Sequence, residues 1–197
     1  MKREQIDTRQ HILNCGQLLI AEKGFAGVGL SQILSDAKVP KGSFYHYFAS
    51  KELFGIDLLE SYFTHYLERL DTLFEHTGKA GAERLINYFD LWIETQSGND
   101  LQSKCLIVKL AAEVSDLSVA MRTTMMHGTD AILLRLTRCI SDGQADGSIS
   151  NKQAAEKLAL LLYQTWLGAT LLAKLRHNES TLQAAMNETH RLLNPKQ

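Results

Sequence analysis

Proline is nearly missing from this chain: 197 residues contain two, Pro40 and Pro195. Proline removes a backbone donor and clashes with the preceding helical turn, so its scarcity over this length favours an all-α fold. Cysteine is also scarce. Cys15, Cys105 and Cys139 are odd in number, far apart and without a CxxC pair. That argues against a disulfide framework and against a zinc site. It points to a reduced, cytoplasmic protein with no metal and no cofactor. No apolar run reaches the roughly 20 residues that span a bilayer. The longest, Leu158 to Ala173, is interrupted by Gln164, Thr165 and Thr170. The amino-terminal MKREQIDTRQ is polar, with no apolar signal region, so no membrane partner is expected.

Catalytic signatures are missing as well. HExxH, GxSxG, GxxxxGK[ST] and GxGxxG after a strand do not occur. Glu113 and Asp116 stand three apart on one helix, a pattern that reads as a solvated face. An enzyme is not expected.

Net charge is −1, but its distribution is uneven. Residues 1–52 hold seven Lys/Arg and five Asp/Glu, a balance of +2, against fourteen and seventeen, or −3, in the remainder. The sign suits an amino-terminal region that meets an anion.

Apolar spacing and breaks predict helices over 7–23, 30–37, 41–48, 50–75, 80–96, 103–117, 119–142, 151–176 and 179–193. Gly24 ends the first, and Ser50 is a good N-cap for the fourth, with Glu52 in its first turn. DGQADGS, 142–148, reads as a break. Three short helices with a tight turn at Lys38–Pro40 form a helix-turn-helix pattern. The expected division is a helix-turn-helix domain over 1–50 and a larger helical domain over 51–197. The 151–176 segment is apolar on nearly all sides, which calls for burial all round. A two-fold partner supplies that in a helix bundle; the alternative is an internal core helix.

KGSFYHYFASK, 41–51, carries four aromatics within five positions, a histidine among them and a lysine at each end. On a helix Phe44 and Phe48 share one face and turn inward. Lys41, Ser43, Tyr45, His46 and Tyr47 fall on the remaining surface. Tyrosine and histidine bond phosphates while their rings pack on sugar or a thymine methyl. Lys41 and Lys51 add charge, and Gly42 lets the backbone N–H groups of the helix start approach an anion. Each of these has a plainer reading as half-buried tyrosine, solvated histidine or surface lysine.

GLSQILSDAKVPKGSFYHYFASKELF, 29–54, resembles the DNA-binding region of TetR-type transcriptional regulators. The shared signature is Val39, Lys41-Gly42-Ser43, an aromatic run ending at Phe48, and Ser50-Lys51-Glu52. The resemblance implies a homodimer on double-stranded DNA, at a roughly palindromic operator, with 1–50 for DNA binding and 51–197 for effector binding and dimerisation. It implies that Lys41, Gly42, Ser43, Tyr45, His46 and Tyr47 face DNA and that Lys51 reaches a phosphate. Many members have Thr at the start of the second helix where this chain has Gly29-Leu30-Ser31, which makes Ser31 the substitute phosphate contact.

A second stretch, SGNDLQSKCLIVKLAAEVSDLS, 97–118, places Cys105 near a helix start. With Ser103 as N-cap, Cys105 falls in the first turn, and Lys109 lies four residues on along the same face. Lys104, adjacent in sequence, points elsewhere. A helix N-terminus and a lysine both favour thiolate. The plainer reading, accepted for Cys15 and Cys139, is a small inert core residue. CLIVKLAAEVSDLSVAM, 105–121, with Trp166-Leu167-Gly168-Ala169 and Lys174, resembles a TetR subgroup related to the repressor of N-ethylmaleimide reductase and to acrylate-responsive repressors. That resemblance implies a repressor whose Cys105 senses electrophiles or oxidants. Lys174, an unusual residue at the end of an apolar helix, is a candidate partner for the thiolate or for an acidic ligand, and Trp92 and Trp166 are candidates to line a pocket. The alternative is a non-covalent ligand such as an unsaturated carboxylate held by Lys109, Lys174 or Arg122. Trp92 and Trp166 also read as core, and Lys174 as a lysine extending to solvent.

Overall fold

The computed structural model describes residues 2–75, 78–97 and 105–194, with side chains from Thr8 onward apart from Ser97. The described residues form helices and no strand: α1 (Lys2–Lys23), α2 (Leu30–Asp36), α3 (Lys41–Tyr47), α4 (Lys51–Phe74), α5 (Gly81–Ser97), α6 (Leu106–Leu117), α7 (Val119–Ala145), α8 (Ala155–Arg176) and α9 (Ser180–Leu193). The chain divides into two compact units, 1–65 with 100–128 and 66–99 with 129–197. The boundaries at 65/66 and 128/129 fall inside helices, α4 and α7. The first unit is therefore larger than the 1–50 module expected from the sequence, since it also includes α6.

In the first unit, Ile12, Ile20, Ile33, Phe44, Phe48 and Phe54 are almost wholly buried. The rings of Phe44, Phe48 and Phe54 lie 5.0–5.5 Å apart. Phe54 rests on α1 at Gly16, where a Cβ would stand 2.4 Å from its ring. Phe44 and Phe48 thus occupy the core as their spacing predicts, whereas Leu53, next to Phe54 on α4, is 47% exposed. The α2 end is closed by two backbone bonds, Lys38 N–H to the Ser35 carbonyl and Val39 N–H to the Leu34 carbonyl. This pattern puts Lys38 in the left-handed region, φ 54°. The His11 imidazole adds a 3.0 Å contact to the Ala37 carbonyl. Ser50 caps α4 by accepting from Leu53 N–H at 3.1 Å, and Glu52 sits in the first turn.

In the second unit, α8 packs on α9 and α9 on α5. Phe89 and Trp166 stack at 4.5 Å and 9°. Trp166 donates to the Thr189 hydroxyl and Trp92 to the Thr170 hydroxyl. The break expected over 142–148 starts only at Asp146: α7 continues through Gly143 to Ala145. Gly143 serves contact instead. A Cβ on Gly81 would come within 2.4 Å of the Gly143 Cα, so the two glycines let α5 and α7 meet backbone to backbone. Beyond Ala145, Asp146 accepts from Gly81 N–H and Ser148 from Ala82 N–H, capping α5. α8 begins at Ala155 rather than 151, because Gln144 draws the Ser150 and Gln153 carbonyls into side-chain bonds.

α8 differs from expectation in a second way. At 22 residues it is long and apolar enough, by length and composition, to cross a membrane. Its burial is one-sided. Leu158, Leu162, Trp166 and Thr170 are buried within the unit, while Leu160, Leu161, Leu171, Leu172 and Leu175 remain exposed.

Candidate nucleic-acid interface and candidate sensing cysteine

α3 carries two chemistries on opposite sides. Phe44 is fully buried, and Phe48, its C-cap, is 1% exposed. Lys41, Gly42, Tyr45 and His46 are exposed, and Ser43 and Tyr47 are half-buried. Tyr45 meets Phe44 edge-on at 5.6 Å, and His46 meets Tyr47 at 4.9 Å. Aromatic contacts thus anchor the bases of the outward rings. Among the described residues, the side chains of Lys41, Tyr45 and His46 make no intramolecular hydrogen bond, so their polar groups point to solvent. A Cβ on Gly42 would meet nothing within 4 Å. No internal packing requires glycine at this helical position, where it costs up to about 1 kcal/mol relative to alanine.

Ser31 is exposed in the first turn of α2. Lys51 is less outward than its place in the motif suggests. Its ammonium donates to the Phe25 carbonyl at 2.7 Å and lies 4.6 Å from the Phe25 ring centre. Burial lowers its pKa, and the Glu113 carboxylate opposes that shift. Two of its three N–H donors remain for an external anion.

The second candidate needs more correction. Cys105 is itself the N-cap of α6, one residue before the helix, and its side chain makes no capping bond. Ser103, expected as the cap, and Lys104 lie outside the described residues. Cys105 is 9% exposed and is followed by buried Leu106 and Ile107. Lys109 does lie along the same helix, but its ammonium donates to the Glu22 carbonyl at the end of α1, 2.9 Å away. Lys174 is exposed on α8 and belongs to the other unit, and Arg122 is exposed near the start of α7. Trp166 is 0% exposed with its indole N–H bonded to Thr189. It is a core residue of the second unit, as is Trp92 at 5%, and the pocket-lining reading of both is withdrawn. Cys139 is 1% exposed, and burial pushes its thiol up to about 12. Cys15 is half-buried, its thiol raised by burial and then by Asp36.

One residue read as solvated is not. Glu113 accepts from the backbone N–H groups of Phe25, at 3.0 Å, and Ala26, at 2.5 Å. Gly24, φ 83°, turns these two amides toward the carboxylate. A Cβ on Gly24 would stand 2.9 Å from the Glu113 oxygen. Asp116, its companion in the sequence pattern, is exposed. The partners of Glu113 are 87 and 88 residues away in the chain, and no local spacing signals such a contact.

Residues 12–54 match the family described as bacterial regulatory proteins, tetR family. Residues 81–189 match the tetracyclin repressor-like C-terminal domain. The chain is 37% identical over 185 residues to the HTH-type transcriptional repressor NemR of Escherichia coli strain K12, covering 94% of this chain and 93% of that one. It is 34% identical over 187 residues to the HTH-type transcriptional repressor DhaR of Mycobacterium sp. strain GP1, covering 95% and 92%. The crystal structure of the reduced form of E. coli NemR is similar with a TM-score of 0.91 at 38% identity, covering 96% of this chain and 98% of that one.

Proposed function

The chain belongs to the TetR family of bacterial transcriptional regulators, and from that premise we propose a homodimeric repressor that leaves its operator when an electrophile modifies Cys105. The observation that carries the DNA-binding half is the outward side of α3, where a cation, two tyrosines and a histidine surround a glycine with open space above it. Lys41, Gly42, Ser43, Tyr45, His46 and Tyr47 enter the major groove, and Ser31 and the remaining Lys51 donors meet phosphates. Two such helices on a two-fold axis call for a roughly palindromic site. The exposed leucines of α8, with Gly168 in open space, supply an apolar face for a second copy. A regulator that reads chromosomal DNA works in the cytoplasm.

The sensing half rests on the likeness to a repressor solved in its reduced form and on the position of Cys105. A thiolate formed at an N-cap meets the positive end of the helix dipole. Its sulfur attacks one carbon of the activated double bond of N-ethylmaleimide or a quinone. A sulfur–carbon bond forms, the carbon–carbon π bond breaks, and the thiol proton ends on the neighbouring carbon. Cys105 is 9% exposed, so the adduct does not fit its space without moving the start of α6.

The test is operator binding by fluorescence anisotropy on the DNA upstream of the protein's own gene. Untreated and maleimide-treated protein are compared, in the wild type and in Cys105→Ser. Release on treatment that the serine variant escapes is the expected result. Equal release of both would remove Cys105 from the sensing role and point to another thiol, Cys15 being half-buried; release of neither would favour a reversible acidic ligand.

A further inference from the structure

We propose that Glu113, assisted by Lys109, is the positioning residue that carries the state of Cys105 to the DNA-reading helices. The inference deepens the sensing reading above and rests on it. α6 has the candidate sensor at its N-cap and, further along, Lys109 and Glu113, four and eight residues on. At 1.5 Å of rise per residue these stand about 6 and 12 Å along the axis from Cys105. Both reach the segment where α1 ends and the turn to α2 begins.

The charges are matched to what they grip. Lys109 places its ammonium on the Glu22 carbonyl, at the carboxyl end of α1, where the helix dipole is negative. Glu113 places its carboxylate on the amides of Phe25 and Ala26, a pair of converging N–H donors that suits an anion. The grip continues through Lys51, which donates to the carbonyl of the same Phe25 from the first turn of α4. At the other end of α6, Ser118 donates to Glu52, also in the first turn of α4, and accepts from Met121 N–H at the start of α7. α6 is thus fastened to the end of α1 and the beginning of α4.

Between those two elements lie α2 and α3. Their place is set by packing on the core that α1 and α4 share, through Phe44, Phe48 and Phe54. A displacement of α6 has two ways to be absorbed. Either the Glu113 bonds break, or the 24–26 turn moves with it and takes α1 out of register with α3. The carboxylate holds two amides at once, and hydrogen bonds to charged groups are the stronger kind. Gly24 has no side chain that would keep the carboxylate off. The turn therefore follows the helix, and the recognition surface follows the turn.

The experiment measures operator affinity as a ratio, before and after a perturbation at residue 105, in a Cys15→Ala background that removes the half-buried competing thiol. Two perturbations are used, N-ethylmaleimide on Cys105 and the substitution Cys105→Trp, whose bulk needs no thiol chemistry. Each is applied with Glu113 intact, with Glu113→Gln, which keeps the shape and gives up one acceptor oxygen, and with Lys109→Met, which keeps the stem without the charge. Circular dichroism melts confirm that each variant is folded. With Glu113 intact the ratio is expected to reach ten-fold or more, within the usual range of coupling between sites. With Glu113→Gln it falls toward one, and with Lys109→Met part of the way. A merely structural role for Glu113 lowers affinity in both states and leaves the ratio unchanged, and that result overturns the inference. If maleimide does nothing to the wild type but Cys105→Trp still releases DNA only when Glu113 is present, the sensing reading fails and the coupling stands. If Cys105→Trp releases DNA equally with and without Glu113, the coupling fails.

Discussion

Two regions of this molecule are rich in aromatic side chains, and they have opposite meanings. In the second unit Tyr88, Phe89, Trp92, Tyr163 and Trp166 face one another, and each indole N–H ends on a threonine hydroxyl. In and beside α3, Phe44 and Phe48 turn inward while the exposed Tyr45 and His46 send their polar atoms to solvent. Ring count is the same kind of signal in both places. The destination of the polar tip separates them. A tip satisfied inside belongs to the core, and a tip left outside is available to a partner.

The comparison breaks first at the rings themselves. Trp166→Ala should cost about 3–5 kcal/mol of stability, the usual range for a buried aromatic, read as a shift of the urea unfolding midpoint. Tyr45→Ala should stay within about 0.5 kcal/mol of wild type, yet weaken operator binding by about 1–3 kcal/mol in anisotropy titrations. A large loss of stability in the second variant, or none in the first, would reverse the assignment of the two regions.

The glycines sharpen it. Gly143→Ala forces a methyl group into the Ile149 side chain and toward the Ala82 backbone, and overpacking of this kind costs about 1–3 kcal/mol. Gly42→Ala meets nothing. It should raise the melting temperature slightly, by about 0.5 kcal/mol of stability, while lowering operator affinity. One substitution type would then harm folding in one region and binding in the other.

The thiols extend the contrast to titration. Burial holds the Cys139 proton to about pH 12 in the folded chain, whereas an unfolded cysteine releases it near 8.5. Between those values the unfolded state binds fewer protons, so stability falls as pH rises, by at most about 1.4 kcal/mol per unit. Below pH of about 8 this term is flat. Urea midpoints between pH 8 and 10.5 should decline more steeply for wild type than for Cys139→Ala. Thr170→Val leaves the Trp92 N–H buried without its acceptor, at a cost of about 1–3 kcal/mol. Thermal melts would register it, with no change in operator affinity.

Much of the fold was legible in the sequence because helices announce themselves locally. The inward phenylalanines of α3, the Ser50 cap and most helix ends follow from spacing and capping chemistry within a few residues. Gly143 misleads for the same reason. Read locally, a glycine beside an aspartate is a break; in the structure it is the place where α5 touches α7. The outward polar face of α3 was legible because one short helix holds it. The environment of Cys105 was not. The helix starts later than its polar flank suggests, Lys109 reaches back to α1, and Trp166 spends its polar atom on Thr189. The last two depend on contacts between distant segments.

The depth of Cys139 has a practical consequence for kinetics. A colorimetric thiol reagent meets Cys15 and Cys105 from the native protein but reaches Cys139, 1% exposed between α7 and the start of α5, only when that corner opens. The slow phase of colour development is then a clock for local opening, and its dependence on urea separates a fluctuation of one corner from unfolding of the whole chain. The protein carries its own probe of how often its second unit comes apart, with no label added.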